Sequence, residues 1–198
     1  MSHYDFLVES YRTERLKTLG VWAQIPEARM SFRPEPRART PHEHMVHQCF
    51  SEDTWMKNML GIAVTRPSLP PEESRAAFLE HYAACSAERL AQLEAKPDSW
   101  FEEDTTFFDV IRSRAWVVTR RLTHSAHHRG HLTAYFRFWG EPLYSTYGPT
   151  ADTGGLFQNK AQVIYRYASV EQLLEGVPSE GPPLPGPGEQ PPTERPSS

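Results

Sequence analysis

The amino-acid sequence predicts an all-α fold, an up-and-down type four-helix bundle with an irregular C-terminal extension, and three observations predict it. Four long stretches carry apolar residues at helical spacing. A proline or glycine stands at the end of each. The connections are of modest length, which favours helices packed side by side around one core.

The first helix is expected over residues 5–25, where Pro26 stops it. Pro34 and Pro36 make 33–39 a loop. The second helix starts near Thr40, with Thr40 as N-cap, Pro41 at the first helical position and Glu43 where a capping box places its acid. It runs to Leu60 and ends at Gly61, and prolines 67, 70 and 71 mark the next connection. A third helix is expected over 72–96, with Ala76, Leu79, Ala83, Leu90 and Leu93 as its apolar stripe and Pro97 as its stop. The fourth is the longest, 110–139, closed by Gly140 with Pro142 beyond. Residues 147–155 are turn-rich. Ser169 caps a short last helix through Glu175. From Pro178 the chain is mostly Pro, Gly, Ser and Glu, a composition that cannot bury a core. The expected organisation is therefore a bundle over 1–155, an extension with a short helix over 156–177, and a disordered Pro-rich tail over 178–198.

Composition narrows the function. A net charge of -4 argues against a protein built to grip nucleic acid. No apolar run approaches the roughly 20 residues of a membrane helix. The N-terminus lacks the basic-then-apolar pattern of a secretory signal. The two cysteines, Cys49 and Cys85, form no CxxC pair. A cytoplasmic location is the expectation.

Histidine is the outlier, with 9 residues, of which His42, His44 and His47 lie on the second helix and His124, His127, His128 and His131 on the fourth. Two ligands on one helix need i, i+4 spacing, because such side chains lie one above the other. Both His124/His128 and His127/His131 satisfy this. At about 100° per residue, Val117, His124, His128, Leu132, Tyr135 and Trp139 share one stripe, and it is the more apolar one. His124 and His128 therefore face the interior, and His127 and His131 fall to the side. A His-rich helix face is more often plain polar surface than a metal site, and without the Glu of HExxH a zincin-type protease is not supported. On the second helix, Met45, Cys49, Met56 and Leu60 form the apolar centre, and His47 sits away from it beside Ser51 and Asn58. On pattern alone His42 is the more buried of the three, so periodicity leaves the third ligand open among His42, His44 and His47.

The stretch His124-Ser-Ala-His-His128-Arg-Gly-His131, continuing through Tyr135, Phe136 and Arg137 to Gly140, resembles the hallmark of the DinB/YfiT-like family. Thr40-Pro41 through His47 to Ser51-Glu52 and Trp55 resembles that family's other ligand-bearing helix. The likeness covers residues 1–150, and Ser145 to Gly155 resembles an extension in one branch. It implies a four-helix bundle, often homodimeric, with a divalent metal, zinc or nickel, held by His47, His124 and His128. Some members are transferases that use low-molecular-weight thiols such as bacillithiol, mycothiol or glutathione; others have no known reaction, so a small-molecule hydrolase or a non-catalytic, damage-inducible metal-binding protein is equally within its range. The sequence departs from the pattern at His131, where Gln is usual, and in carrying His42 and His44 as competing donors.

Three His ligands leave a coordination position open, as catalytic sites do. Glu52 and Asp53 are candidates to orient the ligand imidazoles, and Glu52 to act as a general base, against the plainer reading of solvent-facing carboxylates. Arg129 is a candidate anion ligand, a helix-capping group or half of a structural salt bridge. Cys49 reads as core rather than nucleophile. Pro182 to Pro185 is a short polyproline-type segment that could dock a partner.

Overall fold

The structure, a computed structural model, describes residues 3–176, 181–188 and 193. Its elements are α1 (Asp5–Gln24), α2 (Pro41–Leu60), α3 (Arg75–Glu94), α4 (Asp98–Glu102), β1 (Asp104–Phe107), β2 (Val110–Ser113), α5 (Arg114–Trp139) and α6 (Val170–Leu174), with single 3-10 turns at Glu27–Arg29 and Phe157–Asn159. The chain divides into two compact units, Met1–Leu132 and Thr133–Ser198.

In the first unit the capping chemistry sets the helix ends. The Thr40 hydroxyl accepts from the Glu43 amide at 3.1 Å, and the Glu43 carboxylate accepts from the Thr40 amide at 2.8 Å. At the other end of α2, Gly61 turns left-handed at φ 66, a conformation glycine adopts without a Cβ penalty. The third helix starts at Arg75 rather than 72, because the Ser74 hydroxyl accepts from the Ala77 amide and so acts as the N-cap. The expected stripe holds at Ala83, Leu90 and Leu93, which are buried, but not at its first residue. Phe78 and Tyr82 are buried while Ala76 is exposed, since large aromatics gain more from burial than alanine does.

The longest helix begins at Arg114, not 110. Residues 110–113 instead pair antiparallel with β1, Asp104 opposite Ser113 and Phe107 opposite Val110. Both strands carry β-branched residues, Thr105 and Thr106 facing Arg112 and Ile111, which favour a pleated surface over a helix. The turn between them puts Phe108 at φ 53. The short α4 before the hairpin lies inside a stretch the sequence left unassigned.

The all-α bundle is present, and its contacts give the helix directions. Arg15 of α1 donates to Ser86 at 2.9 Å while Arg75 donates to the Ile25 carbonyl at 2.6 Å, so α1 and α3 run antiparallel. His42 meets Glu73, whereas Asp53 meets Arg89, so α2 and α3 run parallel. His44 meets His128, whereas Ser51 meets Arg121, so α2 and α5 run antiparallel. The order is up, down, down, up, and the Pro-rich connection 61–74 carries the chain back along the bundle. One cluster of buried residues, including Leu7, Trp55, Met56, Leu60, Leu93, Phe101 and Val117, fills one part of the core.

Beside that core lies a charged layer. Glu52 is 1% exposed and accepts from the Tyr11 hydroxyl at 2.6 Å and the Tyr82 hydroxyl at 2.9 Å. Arg89 stands 3.6 Å and Arg121 3.8 Å from its carboxylate. Burying a carboxylate is tolerable only with such partners. Burial first, then the Glu52 charge, holds both phenols well above their ordinary pKa, so they remain donors.

In the second unit Asp152 accepts from the Leu143 amide and from Arg137, and Ser145 and Ile164 exchange hydrogen bonds. The capped turn expected at Ser169 is present as α6. Most of the tail expected to be disordered, 178–198, lies outside the described residues. Within 181–188, Pro182 accepts from the Tyr144 hydroxyl, and Gly186 donates to the Asp152 carbonyl and bridges Thr153. Among the described residues no helix is long and apolar enough to cross a membrane.

Candidate metal centre

The i, i+4 spacing on α5 stacks His124 and His128 with Nε2 atoms 3.2 Å apart. Across from them α2 presents His47, whose ring centre lies 4.6 Å from that of His128 and 5.3 Å from that of His124. His47, His124 and His128 each offer a ring nitrogen, and the three nitrogens lie within 4.8 Å of one another. A second group with the same property is His44, His128 and His131. The structure thus brings all three residues expected from the sequence to one place. It also gathers two histidines that periodicity left out.

The helix-two pattern misjudged burial. His44, at 1% exposure, is the buried histidine, whereas His42 is half-buried and turned to Glu73 at 2.6 Å. The reason is that the inward face of α2 carries His44, Gln48, Ser51 and Glu52, all buried. Those polar residues make an interior face that hydropathy reads as surface. Glu52 and Asp53 do not hold the imidazoles. The first belongs to the charged layer, and the second accepts from Ser68 at 2.6 Å and Arg89 at 3.2 Å. Arg129 is a structural ion pair. It is buried, donates to Thr18 at 2.8 Å and pairs with Glu14. Cys49 is core, 3% exposed.

The electrostatics keep the rings ready to bind. Desolvation, then the charge of Arg121, pushes the His124 imidazole down to about 3. Desolvation, then His124, pushes His128 to about 2, and desolvation, then His131, pushes His44 to about 4. His47 is lowered by desolvation and by Arg39. Neutral imidazoles present free lone pairs at neutral pH, which is the form a metal takes.

The residues fit a bound cation. Two ligands on a tetrahedral ion with bonds of about 2.0–2.1 Å stand about 3.3–3.4 Å apart, and His124 and His128 are already at 3.2 Å. The all-imidazole donor set suits zinc, nickel, copper or iron. Among the described residues Nδ1 of His124 is buried with no hydrogen-bond partner, and the ring's polar contact there is on its Nε2 side. The nitrogens open into a cavity of about 440 Å³ lined by Arg39, His47, Arg120, His124, His127 and His128. Among the described residues its walls hold cations and imidazoles and no carboxylate. Arg39 was not singled out from the sequence; the one signal was its place directly before the cap of α2. Trp55 packs beside the triad, its ring 5.1 Å from that of His124 and 5.4 Å from the Arg121 guanidinium.

The family model for the DinB family matches residues 1–160. The chain belongs to the DinB family. Among solved structures, a DinB-like protein from Bacillus cereus ATCC 10987 is 17% identical, with a TM-score of 0.64 over 71% of this chain and 95% of the other. A DinB-like protein from Bacillus subtilis, YjoA, is 15% identical, with a TM-score of 0.57 over 69% of this chain and 94% of the other. At such identities the likeness concerns the fold. No curated protein matches the sequence. For this DinB-family chain, membership together with the two histidine groups means that a buried imidazole cluster able to hold a metal stands inside the family's helical bundle.

Proposed function

We propose that this DinB-family protein binds a divalent ion, zinc or nickel, through His47, His124 and His128, and uses it as a transferase or hydrolase on a small anionic substrate. The observation that carries the reading is the cavity at the triad, open to solvent and flanked by Arg39 and Arg120. A structural zinc site closes its shell with four protein ligands, whereas an open position serves catalysis. When bound, the ion lowers the pKa of a coordinated water or thiol and polarises a carbonyl. The protein's part is to hold neutral rings on two helices and to offer two guanidiniums that draw in and orient an anion. A low-molecular-weight thiol bearing carboxylates fits that lining, as the resemblance implies. A homodimer in the cytoplasm is the expected setting.

The test is metal analysis by mass spectrometry on protein purified without a His-tag, for the wild type and for His47→Ala, His124→Ala and His128→Ala. Metal in the wild type, lowered by at least one ion per chain in each folded variant, supports the triad. Turnover of thiol and electrophile pairs that falls in Arg39→Ala and Arg120→Ala through KM supports the anion role. No metal in the wild type after zinc or nickel is supplied would sink the reading. Metal without turnover on any thiol, ester or amide would leave a non-catalytic metal-binding protein.

A further inference from the structure

His128 is shared by both histidine groups, and its two ring nitrogens point to different partners. Nε2 lies 3.2 Å from Nε2 of His124, on the side of His47. Nδ1 lies 3.3 Å from Nδ1 of His44. His131 stands close to that second side, its ring centre 5.6 Å from His44 and 6.0 Å from His128. Two imidazole nitrogens at 3.3 Å match the separation of about 3.3–3.4 Å between neighbouring ligands on a tetrahedral ion as well as the first pair does. His44 is deeply buried, His131 is exposed, and both lie within 4.8 Å of His128 through their ring nitrogens. The buried partners fix two sides of a position, and the exposed His131 ring stands at its open side.

We propose that the chain holds a second divalent cation at His44, His128 and His131, with the His128 ring bridging it to the ion at His47 and His124. The proposal rests on the triad reading for the first ion only. A neutral imidazole has a single lone pair for a metal, so filling both sides removes the ring's remaining N–H proton to solvent, one proton for each chain loaded. The ring then stands as an imidazolate with a lone pair at each nitrogen, and the negative charge offsets part of the repulsion between two dications. The plainer alternative is a His44–His128 hydrogen bond with no ion, which explains the 3.3 Å contact and leaves His131 idle.

Zinc and copper(II) are the probes, applied to the full chain. Zinc titration followed by mass spectrometry should give two ions per wild-type chain. His131→Gln, at an exposed position where the fold is not at stake, should give one, and His44→Ala, checked for helicity, should also give one. Copper loading should give an electron paramagnetic resonance signal well below the copper counted by mass, because a bridged pair couples its two unpaired electrons. In His131→Gln the signal should rise to match the count. One ion in the wild type that is kept in His131→Gln would overturn the second position. Two uncoupled coppers would overturn the bridge. One ion lost in His131→Gln but kept in His47→Ala would support the second position and overturn the triad reading instead.

Discussion

Nη1 of Arg129 on α5 lies 2.8 Å from the hydroxyl oxygen of Thr18 on α1, and the other end of its guanidinium pairs with Glu14. Arg129 directly follows the candidate ligand His128, so this contact fixes the rotation of α5 that turns the ring inward. Arg129→Met should lower stability by about 1.5–3 kcal/mol, the range for hydrogen bonds to a charged group. Lys17 remains as a partner for Glu14 at 3.0 Å, which keeps the cost from rising further. Urea unfolding would measure it. A weaker zinc affinity in the folded variant is the accompanying expectation.

Glu52→Ala should cost more, about 3–5 kcal/mol, because it leaves two guanidiniums, Arg89 and Arg121, 2% and 1% exposed, with Asp53 as the carboxylate still paired to Arg89 and hydroxyls at Arg121. Tyr11→Phe removes one donor and leaves the charges matched, so about 1 kcal/mol is expected. Near-equal midpoints for the two variants in chemical denaturation would contradict the charged-layer account.

Removing metal should destabilise the protein. An ion present at 100 times its dissociation constant adds about 2.7 kcal/mol to the folded state, worth roughly 2–4 °C of melting temperature per kcal/mol at this size. A chelator should produce that shift in the wild type and none in His128→Ala.

Burial holds the Cys49 thiol far above its usual range, and the side chain is 3% exposed. The thiolate is the reactive form. Cys49 should therefore react with a disulfide reagent only at the rate of unfolding, and native-state labelling in seconds would contradict its placement.

Glu88 on α3 accepts from the Thr65 amide at 2.9 Å and its hydroxyl at 3.0 Å, with Arg66 at 3.8 Å. The Thr65 hydrogen bond is the main cause holding its carboxyl below the usual value. The unfolded chain therefore takes up this proton at a higher pH than the folded one. The stabilisation is present above about pH 4.3 and is lost as pH falls through the folded value. Protection of amides across 61–74, measured against their intrinsic exchange rates, should fall in that window, and Glu88→Ala should abolish that fall.

How much of this was legible depends on what each residue gave away locally. Thr40, Pro41, Glu43, Gly61 and Ser169 acted where capping rules put them, because such signals need only their near neighbours. The α5 ligand pair followed from spacing on one helix. The hairpin 104–113 did not, since its Thr, Val and Ile register only when two short strands are considered together. His44 and Glu52 were misread for a different reason. Their burial depends on partners distant in sequence, His128 on α5 for His44, and Tyr11, Tyr82 and Arg121 for Glu52. No window along α2 contains that information. The choice of His47 among the helix-two histidines came from the resemblance and not from periodicity.

The buried carboxylate of Glu52 also acts as a lock on alignment. Its place on α2 can be occupied by no neighbour one helical turn away, since those positions carry Gln48 and Met56. Were α2 to slide by a turn, Tyr11 and Tyr82 would lose their acceptor and two guanidiniums would face an amide or a thioether. A core of Leu, Met and Trp alone tolerates such sliding at modest cost, because apolar contacts are interchangeable. A single charge matched from three helices does not, and it lies only one turn or so from His47. The same lock that indexes the helices therefore sets, at a fixed height, the imidazoles that a metal would need to find waiting.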